Sequence, residues 1–475
     1  MLDFKKYGDA EAPLKFFEEF SKIPRGSGNC AKIAEYLCDF AEKRGLYYRR
    51  DEADNVIIKK PATKGYENKP CVIFQGHTDM VAEKKPDAAI DMEKDGLELY
   101  IEDGFLKARG TTLGGDDGVA IAYALAVLDS DTIPHPDFEA IFTSDEEIGL
   151  IGAAKLDTFD INGRMLINID SDVEGIFTAG CAGGVRSDIS MPVSYETNTR
   201  SHAFKVTVSG FKGGHSGMEI DKGRYNAIKF FAEILNCIFD INIAAVNAGM
   251  ADNAIPRDCE AVICANLDFP ETLKSHFEIR RKTYEDIEPV ISLKVEEVEA
   301  PKMALSTNST EDLISLLLCV PTGVVAFSKS LEGLVETSLN LGILRLDEKN
   351  ADISFSVRSA VGEEKKKVCE NLSKIAKDFG ASYAERGAYP AWEYREKSHL
   401  RDVMVSVYEK MYGKSPEVVI IHAGLECGLF SDKIPDIDCV SIGPDNFDIH
   451  TTEERLSLDS FARVWDYLRT VLKNI

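Results

Sequence analysis

Along the first third of the chain, short apolar runs alternate with stretches whose apolar residues recur at helical spacing. Residues 71–75 (CVIFQ), 138–143 (FEAIFT) and 164–169 (RMLINI) are mostly apolar, the pattern of strands covered on both faces. Between the first two, 118–130 (GVAIAYALAVLDS) predicts a buried helix. Strand, helix, strand in this rhythm predicts an α/β domain with a mostly parallel central sheet. Residues 438–444 (DCVSIGP) read as a further strand of the same kind, followed by an amphipathic helix over 458–475.

The middle of the chain has a different period. Residues 202–211 (HAFKVTVSGF), 259–269 (CEAVICANLDF), 291–300 (ISLKVEEVEA) and 351–360 (ADISFSVRSA) alternate apolar and polar positions, as half-exposed antiparallel strands do. Helical stretches such as 223–238 lie among them. This predicts an α+β domain, residues 185–397, inserted into an α/β domain made of 1–184 and 398–475. The sequence shows no convincing internal repeat and no low-complexity linker.

Composition narrows the setting. With 475 residues, 44% of them hydrophobic, the chain can bury two sizeable cores. A net charge of −25 argues against nucleic acid or an anionic membrane surface as partner. The first residues lack the basic and long apolar regions of a signal peptide, and no later segment is long enough to span a bilayer. Eleven cysteines, odd in number and without a CxxC pair, read as reduced thiols in a cytoplasmic protein.

The chemistry follows from what stands after each α/β strand. After 71–75 come His77 and Asp79; after 138–143 come Asp145, Glu146 and Glu147; after 164–169 comes Asp170; after 438–442 the chain reaches His450. Asp116 and Asp117 stand just before the predicted helix. A single acid after a strand is ordinarily a turn residue or a helix cap. Five segments that deliver His, Asp and Glu to the carboxyl edge of one sheet, where α/β ligands sit, form a metal-binding pattern. Imidazoles and carboxylates without thiolates suit Zn2+, Mn2+ or Co2+, and a bridging carboxylate suits two ions about 3.5–4 Å apart. Three adjacent carboxylates at 145–147 would then be discharged by cations.

The ordered motifs GHTDM, GTTLGGDDG, SDEEIG, NIDSD, GCAGG and GGHSG resemble those of the M20 family of di-zinc metallopeptidases. LVETSLNLG, SVRSA, IHAGLECGLF and SIGPDNFDIHTTEE resemble its aminoacyl-histidine (Xaa-His) dipeptidase branch, and the likeness runs from about residue 10 to the end. The resemblance implies a zinc-peptidase-like catalytic domain with an inserted lid. It implies two Zn2+ per subunit, replaceable by Mn2+ or Co2+. His77 and Asp170 would bind one ion, Glu147 and His450 the other, with Asp116 between them. Glu146 would be the general base that takes a proton from an acidified water, and Asp79 would orient His77. Asp117 is expected to be non-ligating.

In the inserted domain, the resemblance gives His215 the oxyanion of the tetrahedral intermediate. Arg358 is a candidate clamp for a substrate carboxylate, with a strand-edge ion pair as the competing reading. Asn253 reads as catalytic or as a turn cap, and Glu426 as a receiver of a free α-amine or as a helix-start carboxylate. His422 borders the same loop, Cys427 reads as packing, and Cys181 as part of a tight glycine turn. Hinges are expected near 185 and 397 if the lid closes, and the wider family allows a lid-mediated homodimer. The implied activity is hydrolysis of small dipeptides, preferably Xaa-His. A broad dipeptidase, a carboxypeptidase, an N-acyl amino acid deacylase and a catalytically silent metal-binding protein are the alternatives.

Overall fold

A computed structural model describes residues 2–328 and 333–475. Its contacts divide the chain into two compact units: Met1–Cys181 with Tyr394–Ile421 and Leu425–Ile475, and Ala182–Glu393 with His422–Gly424. The junctions fall at 181/182 and 393/394, a few residues before the 184/185 and 397/398 expected from the sequence. The glycine turn expected at Cys181 is absent: Ile176–Cys181 is a strand, and after one residue Gly183–Pro192 continues as another. No composition change marks a passage made in extended backbone.

The first unit is an eight-stranded sheet. Across it run Tyr47–Arg50, Val56–Lys60, Phe138–Thr143, Val72–His77, Met165–Asn168, Asp438–Ser441, Ile176–Cys181 and Glu417–Ile421. The four strands from Phe138–Thr143 to Asp438–Ser441 are mutually parallel, so their carboxyl ends share one edge. The strands Phe138–Thr143 and Val72–His77 are buried at every position, as their mostly apolar runs predict.

Helix Gly115–Asp129 is apolar on all sides and buried from Asp117 to Leu128. It packs on the strand Val72–His77; on the C-terminal helix Leu458–Asn474, Tyr123 meets Phe461 and stacks on Trp465. The helix can approach the sheet this closely because of Gly76. A Cβ there would stand 2.1 Å from Asp117 Oδ2 and 2.2 Å from Ala120 Cβ. Gly76→Ala is therefore expected to destabilise the protein by about 1–3 kcal/mol, read as a lower midpoint in chemical denaturation.

The second unit is built on a nine-stranded antiparallel sheet. Eight strands run in the order Ser292–Val298, His202–Ser209, Cys259–Ala265, Asn242–Ala248, Val335–Leu346, Asn350–Ser359, Gly183–Pro192 and Ser382–Tyr389; Gly323–Phe327 also pairs with Val335–Leu346. Burial alternates along His202–Ser209, as its sequence period predicts. Helices Ala227–Leu235, Phe269–Thr283, Thr307–Cys319 and Gly362–Asp378 contribute to the same core as the sheet.

Candidate metal centre

The carboxyl edge of the parallel strands gathers the ligand-type side chains. His77 ends its strand, 1% exposed, and its Nδ1 lies 3.1 Å from the carbonyl oxygen of Asp79 and 3.4 Å from Asp79 Oδ1. With Nδ1 so occupied, Nε2 faces outward, 3.0 Å from Asp116 Oδ1 and 3.9 Å from Asp170 Oδ1. The other oxygen of Asp116 lies 3.1 Å from His450 Nε2, which is also 3.0 Å from Glu147 Oε1. One carboxylate thus divides its two oxygens between two imidazoles. Ligand atoms of His77, Asp116 and Asp170 lie within 4.8 Å of one another, as do those of Asp116, Glu147 and His450, and those of His77, Glu146 and Glu147.

The three adjacent acids separate. Asp145 has a left-handed φ of 52°, which turns the chain, and its carboxylate accepts the Gly28 N–H at 2.7 Å. Asp79 then organises the next two residues: its oxygens accept the N–H groups of Glu146 at 3.0 Å and Glu147 at 3.2 Å, and the Ser27 hydroxyl at 2.8 Å. Burial opposes ionisation of Asp79, but the His77 imidazole, its charge and these donors draw the carboxyl down to about 2. Asp79 therefore does more than orient His77. It fixes the turn that carries both glutamates, a backbone role with no signature in sequence.

The electrostatics are those of a cation site. Burial and then the neighbouring carboxylates Glu426, Glu147 and Asp116 push Glu146 up to about 8 against the pull of His77. Burial and Asp116 raise Asp170 well above the carboxylate range. Asp116 and Glu147 together raise His450 to about 10. Asp117 is not among the clustered ligand-type groups. Its carboxylate accepts the His77 N–H at 3.2 Å and the Ala120 N–H at 3.2 Å, holding the ligand strand to the helix.

Glu426 stands at a helix start, the second of the two readings its sequence allowed. It is 0% exposed, and its Oε2 accepts from the Thr143 hydroxyl at 2.6 Å and from the Gln75 amide. It opens helix Glu426–Lys433 inside the sheet edge, so the structure gives it a place in the wall behind His77. Cys427 beside it is also fully buried, and burial pushes its thiol well up, which suits packing.

The second unit collects its own polar cluster. His215 lies in a short strand paired with Ala254–Ile255, and the Asn253 carbonyl accepts the Ser216 N–H at 2.8 Å. His215 Nδ1 accepts the N–H groups of Gly217 at 3.2 Å and Met218 at 3.1 Å, which leaves the ring proton on Nε2. Burial and then the charge of Arg358 lower its pKa, so the neutral ring is favoured. Arg358 donates to the Tyr389 hydroxyl at 3.1 Å, while its buried Nε has no partner among the described residues. His422 bonds Ser338 Oγ at 2.7 Å, and burial, then Arg358, lower it to about 4. That contact helps hold 422–424 in the second unit, against the expectation that this loop belongs to the first.

Residues 73–474 match peptidase family M20/M25/M40. The chain belongs to that family.

This M20 peptidase is 37% identical to the cytosol non-specific dipeptidase of Escherichia coli (strain K12) over 473 residues, 97% of this chain and 96% of the relative. The aminoacylhistidine dipeptidase of Vibrio alginolyticus superposes with a TM-score of 0.92 at 34% identity, over 98% of this chain and 96% of that one. The aminopeptidase PepT of Bacillus cereus shares the fold at 18% identity and a TM-score of 0.57, over 98% of each chain. M20 enzymes depend on metal ions, and the clustered His, Asp and Glu of this peptidase are of that donor type. Among its described residues no helix is long and apolar enough to cross a membrane.

Two buried residues of the M20 peptidase escaped the sequence reading. Arg25, 2% exposed, donates to the carbonyls of Thr78, Asp79 and Gly114. Glu454, 3% exposed, accepts from backbone N–H groups next to Asp116. The only available signals were an arginine amid small residues (IPRGSG) and the second glutamate of HTTEE, neither of which declares burial.

Proposed function

We propose that this M20 dipeptidase uses two divalent cations, Zn2+ or the similar Mn2+ or Co2+, and prefers Xaa-His dipeptides. The observation that carries the two-ion reading is Asp116, whose oxygens face His77 on one side and His450 on the other. The donor set of nitrogens and carboxylates fits such ions: His77 and Asp170 would hold one, Glu147 and His450 the other, and Asp116 both. When bound, the cations supply Lewis acidity toward a peptide carbonyl and lower the pKa of a water toward about 7. Glu146, with its backbone tied to Asp79, takes the water's proton on its carboxylate and passes it to the leaving nitrogen. His215, neutral and protonated at Nε2, donates to the carbonyl oxygen as negative charge develops there. The Asn253 carbonyl steadies the His215 turn. Arg358, with Nε unengaged, receives the substrate's free carboxylate through its fork.

The Xaa-His preference is supported by the likeness to the Vibrio enzyme. The name of the Escherichia coli relative supports a second reading, a broad dipeptidase. A panel of carnosine, Ala-His, Ala-Ala, a tripeptide and an N-acetyl amino acid separates them. Ala-His is expected to turn over fastest, with negligible action on the tripeptide and the acetylated compound. Equal rates for Ala-His and Ala-Ala would favour the broad reading, and preference for the acetylated substrate would reject both. Cytoplasmic location fits the scattered thiols and the acidic chain, and a homodimer through the inserted unit follows the family resemblance.

A further inference from the structure

Glu454 reaches across the fold to the turn that carries Asp116. Its Oε2 accepts the N–H groups of Leu113 at 2.7 Å and Gly114 at 2.9 Å, and its Oε1 those of Gly115 at 2.8 Å and Asp116 at 3.4 Å. An ordinary helix cap comes from the adjoining residue and satisfies one or two donors. Here one carboxylate takes four successive donors and arrives from a residue 338 positions away. It belongs to the same turn as His450, with the Glu454 N–H bonded to the Thr451 carbonyl at 3.1 Å.

The opposite side of the same turn is held by a buried cation. The Arg25 guanidinium donates to the Gly114 carbonyl and, through its other nitrogen, to the carbonyls of Thr78 at 3.0 Å and Asp79 at 2.9 Å. Gly114 is therefore clasped by its N–H from one side and its carbonyl from the other. Its φ is +66°, and a Cβ would stand 2.5 Å from the Arg25 guanidinium and 2.6 Å from Met80 Sδ, so only glycine fits. Both charges are spent mainly on main-chain groups of these turns.

We infer that Glu454 is a positioning residue for the paired cations, locking the Asp116 turn to the His450 turn and so governing chiefly the ion held by Glu147 and His450. This rests on the ligand set proposed above. Asp116 must present one oxygen to each imidazole, and sites of this kind tolerate displacements of about 0.5 Å. The Asp170 side of the site is supported separately: its strand Met165–Asn168 is paired within the sheet, and His77 is fixed by Asp79 and Arg25. Loss of the Glu454 charge therefore reaches the two ions unequally.

The test is a titration of metal-free protein with Co2+ or Zn2+, resolved into two binding steps by calorimetry and, for Co2+, by visible absorption. His450→Ala and Asp170→Ala assign the steps, each removing one. In Glu454→Gln, the step assigned to His450 should weaken about 10–100-fold while the other is retained, and kcat should fall with KM unchanged. Glu454→Asp, which keeps the charge, should recover part of the loss. Equal weakening of both steps would mean general destabilisation, and unchanged affinities would mean no role; either overturns the inference. If Glu454→Gln does not fold, Glu454→Asp is titrated in its place, with partial weakening confined to the His450 step expected and the same two results overturning it. If His450→Ala and Asp170→Ala leave both steps intact, it is the ligand assignment that fails.

Discussion

Glu146→Gln will retain both metal ions and lose hydrolysis, with kcat lower by about 10²–10⁴-fold. The amide has the shape of the carboxylate, and the Glu146 N–H stays bonded to Asp79, so the turn that presents Glu147 is undisturbed. What disappears is a carboxylate at this edge that can hold a proton near neutral pH. Burial and the acids around it raise Glu146 to about 8, and bound cations would draw that value down toward the working range. The base acts only when ionised, so kcat/KM of the native enzyme rises as pH climbs through its pKa, and the variant should lose that acid limb. Metal content by atomic emission, with kcat on Ala-His, decides the matter. A variant that hydrolyses within tenfold of the native rate removes Glu146 from the reaction.

Arg358→Ala will lower kcat/KM for dipeptides by about 30–1000-fold, because truncating one member of a desolvated charge pair costs about 2–4 kcal/mol. Arg358 lies in a strand between Tyr389, to which it donates, and the imidazoles whose basicity it suppresses. Its Nε has no partner among the described residues, an expensive arrangement for a buried donor unless a ligand completes it. The loss should fall mainly on KM, since a carboxylate anchor binds ground state and transition state alike. A dipeptide C-terminal amide provides the matching control. It should be a poor substrate for the native enzyme, with little further loss in the variant. Equal, independent losses from the two changes would mean that Arg358 and the carboxylate do not meet.

Much of the first unit was legible because its signals are local. The run 138–143 is a strand to the residue, and the helix Leu458–Asn474 ends one residue before the expected limit. The metal-type residues stood out because all but Asp116, which precedes a helix, follow apolar runs whose ends point to the same sheet edge. Interactions that join distant turns through backbone groups were not legible. Arg25 and Glu454 pair mainly with main-chain atoms that any sequence supplies, so their partners do not advertise them. The burial of Glu426 was hidden for a related reason: it depends on Gln75 and Thr143 meeting from two different strands. The strand that leaves Cys181 for the second unit does so without a turn, and composition cannot mark such a passage.

The place of Asp438–Ser441 in the sheet, between Met165–Asn168 and Ile176–Cys181, bears on how the protein is born. Until that late segment leaves the ribosome, the nascent sheet has a gap with two unsatisfied borders, each a template for pairing with a neighbouring polypeptide. The second imidazole arrives later still. On the proposed ligand set, peptide cleavage awaits the emergence of the segment that carries His450, and a proteolytic nick that frees this segment and the helix after it should silence the enzyme while leaving most of its residues in place.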